Sequence, residues 1–153
     1  MKKVEPGRVG ELICTLRLCQ LDIEAEILHL GTTDILAFAH DRVWRIQVKS
    51  SIIRKCNDRK AGYQFGICTG QRVKKPLKEE DCDIIALVAV PQERVIFKPV
   101  SYFNAVLTKR MSPFEYMGPN VEIDSWCETV KSLGATPPLP SYFQALGRPY
   151  SVL

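Results

Sequence analysis

A mixed α/β fold, one sheet with helices against it, is what this sequence predicts, and three observations predict it. Helical spacing of apolar residues occurs near residue 12 and again near residue 127, and two-residue alternation fills much of the span between. The composition, 46% apolar and 25% charged over 153 residues, is that of an ordinary globular chain long enough to bury its own core. The expected organisation is one domain over residues 1–135, followed by a Pro-rich linker and tail over residues 136–153.

The first helix is expected over residues 9–20, where Val9, Leu12, Ile13, Leu16 and Cys19 form one apolar stripe and Arg17 lies outside it. Glu24 to Leu30 alternates loosely and ends at Gly31-Thr32-Thr33, which reads as a strand and a break. Asp34 to Ala39 and Arg42 to Ser51 read as an antiparallel hairpin turning at His40-Asp41. Further strands are expected at Tyr63–Cys68, Asp83–Val90 and Arg94–Val100, the last two joined by Pro91-Gln92-Glu93. A second helix should run from Asp124 to Leu133, with Ile123, Cys127 and Val130 on one side and Gly134 as its stop. Thr136 to Pro140 is a stiff extended linker, and Tyr142, Phe143 and Leu146 of the tail are expected to dock on the domain or on a partner.

No stretch approaches the roughly 20 apolar residues of a membrane helix, and Met1-Lys2-Lys3 runs into polar sequence rather than a secretion signal, so a cytoplasmic location is expected. There the six cysteines should be free thiols, and none forms a C-x-x-C pair or a zinc spacing with His29 or His40. Cys14, Cys19, Cys68 and Cys82 read as small buried hydrophobes.

The net charge of +4 hides a strong asymmetry, because residues 42–78 hold eleven of the 21 Lys and Arg but only one of the 17 acids, Asp58. The rest of the chain is acidic. Such polarity points to a polyanionic partner, and nucleic acid is the expected one.

The chemistry is expected on the hairpin. Trp44, Ile46 and Val48 face one way while Arg45, Gln47 and Lys49 face the other. With the turn at residues 40 and 41, paired positions place Asp34 opposite Gln47, Cβ atoms about 5 Å apart, and the same register stacks Ile35 on Ile46 and Ala37 on Trp44. An acid, an amide oxygen and an ammonium held together suit phosphodiester hydrolysis, since a hard dication takes oxygen ligands and the attacking water needs an orienting charge. Asp34, the Gln47 side-chain oxygen and the Val48 carbonyl are the expected ligands of Mg²⁺ or Mn²⁺. Lys49 would orient water or steady the phosphate. Arg45, Ser50, Arg54, Lys55, Arg59, Lys60, Arg72, Lys74 and Lys75 are candidate DNA contacts, with Asn57, Tyr63, Gln64 and Gln71 as candidate base readers.

Glu11 in the first helix, Thr33-Asp34 opening a strand and Gln47-Val48-Lys49 within the next resemble the PD-(D/E)xK nuclease superfamily. Within it the sequence is most similar to small homing endonucleases of group I introns in cyanobacteria and phages, where glutamine replaces the second motif acid. Arg8 to Leu12, Arg45 to Ser50, Asp81 to Val88 and Phe97 to Val100 carry that narrower match, which spans roughly residues 7–100. The resemblance implies a restriction-endonuclease-like α/β core with a C-terminal extension, Glu11 as a further catalytic residue, Mg²⁺ as cofactor, and double-stranded DNA cut by a homodimer or homotetramer in a bacterial or phage-infected cell. Thr33 stands where the motif often has proline, and neutral Gln47 removes a ligand charge. A Holliday junction resolvase of the same fold and a catalytically inactive DNA-binding module are the alternatives.

Overall fold

Positive φ at both His40 (+56°) and Asp41 (+57°) makes the two-residue turn whose twist matches that of the strands it joins. That turn fixes the centre of the molecule. It pairs Ile35 with Ile46, Ala37 with Trp44 and Ala39 with Arg42, the register the alternation predicts. The structure, a computed structural model, describes residues 4–56 and 59–137, and the side chains of 54–60 are not among the described groups. The tail residues Tyr142, Phe143 and Leu146, and Asn57, lie outside the described residues.

The elements in order are α1 (Pro6–Gln20), β1 (Glu24–Leu30), β2 (Thr33–Ala39), β3 (Arg42–Ser51), β4 (Arg54–Cys56), β5 (Arg59–Gly66), β6 (Cys68–Thr69), β7 (Lys75–Pro76), β8 (Ile84–Ala89), β9 (Arg94–Pro99), β10 (Thr108–Met111) and α2 (Val121–Ser132). The central sheet has the order β1-β2-β3-β8-β9, antiparallel except where β3 runs parallel to β8. A parallel pair needs a crossover, and residues 52–83 supply it with β4 to β7. The predicted strand from Tyr63 to Cys68 thus belongs to a second sheet, β10-β5-β4, and Cys68 begins a separate short strand.

Alternation on β8 explains the layering. Ile84, Ala86 and Val88 join Ile13, Cys14 and Leu18 of α1 and Ile123, Trp126 and Val130 of α2 in one core, whereas Ile85, Leu87 and Ala89 join Tyr63, Phe65 and Met111 in the other. Both helices cover one face and the small sheet covers the opposite one. The second helix begins three residues before the predicted start and stops before Gly134, whose φ is +91°. Among the described residues no helix is long and apolar enough to cross a membrane.

The first helix presents a different face from the one its apolar residues predict. Leu12 and Leu16 are each 49% exposed and Cys19 is exposed, while Gly10, Glu11, Cys14, Arg17 and Leu18 are buried. Arg17, expected outside the core, is 2% exposed. Its Nε donates to the Glu93 carbonyl (2.8 Å) and lies 3.5 Å from Glu122 Oε1, and Glu122 also takes two bonds from Arg94 at 2.7 and 2.8 Å. A buried charge set of this kind ties α1 to β9 and α2, which apolar periodicity cannot reveal. Of the cysteines, Cys14 and Cys82 are buried as expected, but Cys68 is only half-buried.

The hairpin turn is held from below by Trp126, whose Nε1 donates to His40 Nε2 at 3.0 Å. Only an imidazole with a bare Nε2 accepts that bond, and burial holds the His40 pKa below its ordinary 6.5 against the opposing pull of Asp41. Below about pH 6.5 the unfolded chain therefore takes up a proton that the folded chain refuses, so stability is complete above that pH and declines as pH falls toward the folded pKa. Denaturant titrations at about pH 7.5 and 5.5 should show the decline. His40→Gln should reduce it.

Candidate active site

The β2–β3 ladder ends at Ile35 and Ile46, and beyond that pair the Asp34 side chain takes over from the backbone. Asp34 Oδ2 accepts from the Val48 N–H at 2.8 Å, satisfying an amide that the diverging strand leaves without a ladder partner. The same oxygen accepts from Gln47 Nε2, also at 2.8 Å. Both bonds fall on Oδ2, and Oδ1 takes neither. The expected meeting of Asp34 and Gln47 is therefore present. Gln47, however, presents its amide nitrogen to the acid and serves as a donor that fixes the carboxylate. A second carboxylate at this position would face Asp34 as a like charge at the same distance.

Lys49, two residues along the same face of β3, is half-buried and donates from Nζ to the Cys68 carbonyl at 2.9 Å. It makes no ion pair among the described residues. Burial pulls its pKa below the ordinary 10.5, opposed by nearby Cys68 and Asp34. Burial likewise pushes the Asp34 carboxyl up, with the Val48 hydrogen bond acting against it and the neighbouring Glu11 adding to it. Two opposite charges, each poorly solvated and not directly paired, mark a site built for something other than stability.

The third contributor arrives from α1. Glu11 is 9% exposed, and its Oε2 lies 3.2 Å from Arg8 Nη1 and 3.1 Å from His29 Nε2. Ligand atoms of Glu11, His29 and Asp34 all fall within 4.8 Å of one another. Two carboxylates at this spacing fit a hard divalent cation. His29 has no counterpart among the sequence expectations. It sits where β1 carries one extra residue between Ile27 and Leu30, an irregularity that alternation does not disclose.

The expected DNA contacts separate into groups. Arg72, Lys74 and Lys75 are exposed, and Lys74 donates to the Gly70 carbonyl. Arg54 and Lys55 lie on β4, and Arg59 and Lys60 on β5, the two strands of one antiparallel ribbon. Tyr63 is instead a core residue, 1% exposed, with its hydroxyl on Gln92 Oε1, because alternation on β5 turns it inward and turns Gln64 outward. The Arg45 guanidinium is committed to Asp83 and to the carbonyls of Glu79 and Glu80, bracing the start of β8. The Ser50 hydroxyl is buried beneath Gly10 of α1 and has no hydrogen-bond partner among the described residues.

Neither a family model nor a curated protein matches this chain. Among solved structures it is similar to a bacterial homing endonuclease, I-Ssp6803I, with a TM-score of 0.63 over 84% of this chain and 93% of that one. At 13% identity the likeness establishes the fold, a central mixed sheet flanked by helices.

Proposed function

We propose that the chain is a divalent-metal-dependent endonuclease of the homing type that hydrolyses phosphodiester bonds in double-stranded DNA at a defined site. The observation that carries this reading is the convergence of Asp34, Gln47 and Lys49 through one strand register, with Glu11 brought to them by the adjoining helix. The likeness in fold to a homing endonuclease supports it.

Asp34 through Oδ1, Glu11 and the Val48 carbonyl are the groups that would hold Mg²⁺ or Mn²⁺. The ion would supply a water of lowered pKa and a counter-charge to the phosphate. Gln47 keeps the Asp34 carboxylate in one orientation. Lys49 places a poorly solvated ammonium where charge grows on the phosphate as the new P–O bond forms and the bond to the leaving sugar oxygen breaks. Arg54, Lys55, Arg59, Lys60, Arg72, Lys74 and Lys75 would meet backbone phosphates. The described residues form one such site per chain, so cutting both strands would call on a homodimer or homotetramer. Residues 1–135 then form the nuclease core, residues 136–153 form an appended tail, and the work is done in the cytoplasm of a bacterial or phage-infected cell.

The test is digestion of a long linear duplex library with Mg²⁺, beside a synthetic four-way junction. One defined cut, abolished by EDTA, is the expected result. Cutting of junctions regardless of sequence would replace this reading with a resolvase, and no cutting of either substrate would leave a binding module. Asp34→Asn is the informative variant, because it keeps an acceptor for the Val48 amide while removing a charge that burial disfavours. It should melt no lower than the parent in EDTA, still shift duplex DNA in a gel, and leave the DNA uncut.

A further inference from the structure

We infer that His29 is a ligand of the same metal centre, so that Glu11, Asp34 and one imidazole form a mixed nitrogen and oxygen set that favours Mn²⁺ and similar transition-metal dications over Mg²⁺ and Ca²⁺. The inference rests on the metal-dependent reading above and adds a residue and a metal preference to it.

Three features carry it. The first is spacing. Neighbouring ligands about 2.1 Å from an octahedral ion lie about 3 Å apart, and His29 Nε2 is 3.1 Å from Glu11 Oε2, the length of one edge of such a polyhedron. Asp34 closes the triangle within 4.8 Å.

The second feature is charge. The carboxylates of Glu11 and Asp34 place ligand oxygens within 4.8 Å of each other, where like charges repel. A hydrogen bond from His29 reaches Glu11 alone, whereas a dication among the three atoms satisfies both acids and accepts the imidazole lone pair.

The third feature is how His29 arrives. Pairing of β1 with β2 runs from Glu24 opposite Phe38 to Ile27 opposite Ile35 and resumes at Leu30 opposite Thr33, so one residue is inserted beside His29. Inserted residues of this kind locally re-aim a strand's side chains, and they recur next to active sites. The imidazole nevertheless remains 59% exposed, which leaves it free to turn onto an ion without disturbing the core.

Nitrogen ligation sets the preference. Imidazole suits first-row transition metals, of which Mn²⁺ binds most weakly yet still accepts nitrogen, whereas Mg²⁺ and Ca²⁺ sites are built from oxygen. The full chain titrated with Mn²⁺ and followed by pulsed electron paramagnetic resonance should show ¹⁴N coupling from a bound imidazole. Assignment is simple, because the chain has two histidines and His40 Nε2 is held by Trp126. His29→Ala, at an exposed position, should fold as the parent does, lose the coupling and bind Mn²⁺ about tenfold more weakly. Its Mg²⁺ affinity should change by less than about threefold. Mn²⁺ bound by the parent without nitrogen coupling, or coupling that survives in His29→Ala, overturns the role of His29 and leaves an oxygen-only metal site. Mn²⁺ that binds neither the parent alone nor the parent with duplex DNA overturns both this inference and the metal-dependent reading.

Discussion

Replacing Lys49 with methionine should slow strand cleavage by about a thousandfold while leaving duplex affinity within about threefold. Methionine keeps the length and apolar bulk of the lysine stem, so the half-buried slot beside Cys68 stays filled. Only the ammonium disappears, and with it the charge that meets the phosphate in the transition state. The stability effect separates this role from a structural one. The folded pKa of Lys49 lies below 10.5, because burial disfavours its charged form. At neutral pH the charged group thus costs stability, and the cost is relieved as pH rises between the folded and the unfolded pKa. A residue kept for structure should lower the melting temperature when removed. Lys49→Met should leave it unchanged or raise it. A parallel loss of folding and cutting would remove Lys49 from the chemistry, and full cutting by the variant would do so more directly.

The hairpin that holds Lys49 was legible in the sequence for a definite reason. A two-residue turn and strict alternation together leave one register that buries Trp44, Ile46, Ile35 and Ala37 at once, and that register carries Asp34 to Gln47 without further assumption. The order of the two helices and of β1, β2, β3, β8 and β9 was legible on the same grounds, whereas β4, β7 and β10, which pair across the connection from β3 to β8 or beyond it, were not. The face of α1 was not, because it inverts the usual rule: Arg17 and Glu11 are inside, held by partners from β9, α2 and β1, while Leu12 and Leu16 are outside. The burial of Tyr63 is not legible locally, because the short sheet that covers it forms across a long connection and nothing nearby says which of Tyr63 and Gln64 faces in. His29 depends on an inserted residue in β1, and Arg45 on Asp83 and two carbonyls about 35 positions away. Partners so distant leave no trace in local spacing.

Gly10 shows how closely the site depends on the seating of α1. A Cβ built there would overlap Ser50 Oγ, stand 2.9 Å from Ser50 Cβ and lie 3.6 Å from Val48 Cγ1, so only glycine lets the helix lie this near β3. The neighbouring residue is Glu11, which reaches Asp34 because of that approach. Gly10→Ala sets two effects of opposite sign against each other. Alanine is the better helix former by about 1 kcal/mol, and an uncrowded site would therefore gain stability. Overpacking against β3 costs about 1–3 kcal/mol, and Ser50, with a short side chain, has little room to retreat. The overlap should win, with a lower denaturation midpoint and weaker Mn²⁺ binding as α1 lifts and carries Glu11 from Asp34. Ser50→Ala alone removes a buried hydroxyl that has no partner among the described residues and should be neutral or stabilising. Combined with Gly10→Ala it should recover much of the lost stability, a coupling that two independent sites would not show. A Gly10→Ala chain that melts above the parent and binds Mn²⁺ as tightly would mean that α1 does not press on β3 in this way, and that Glu11 owes its place to other contacts.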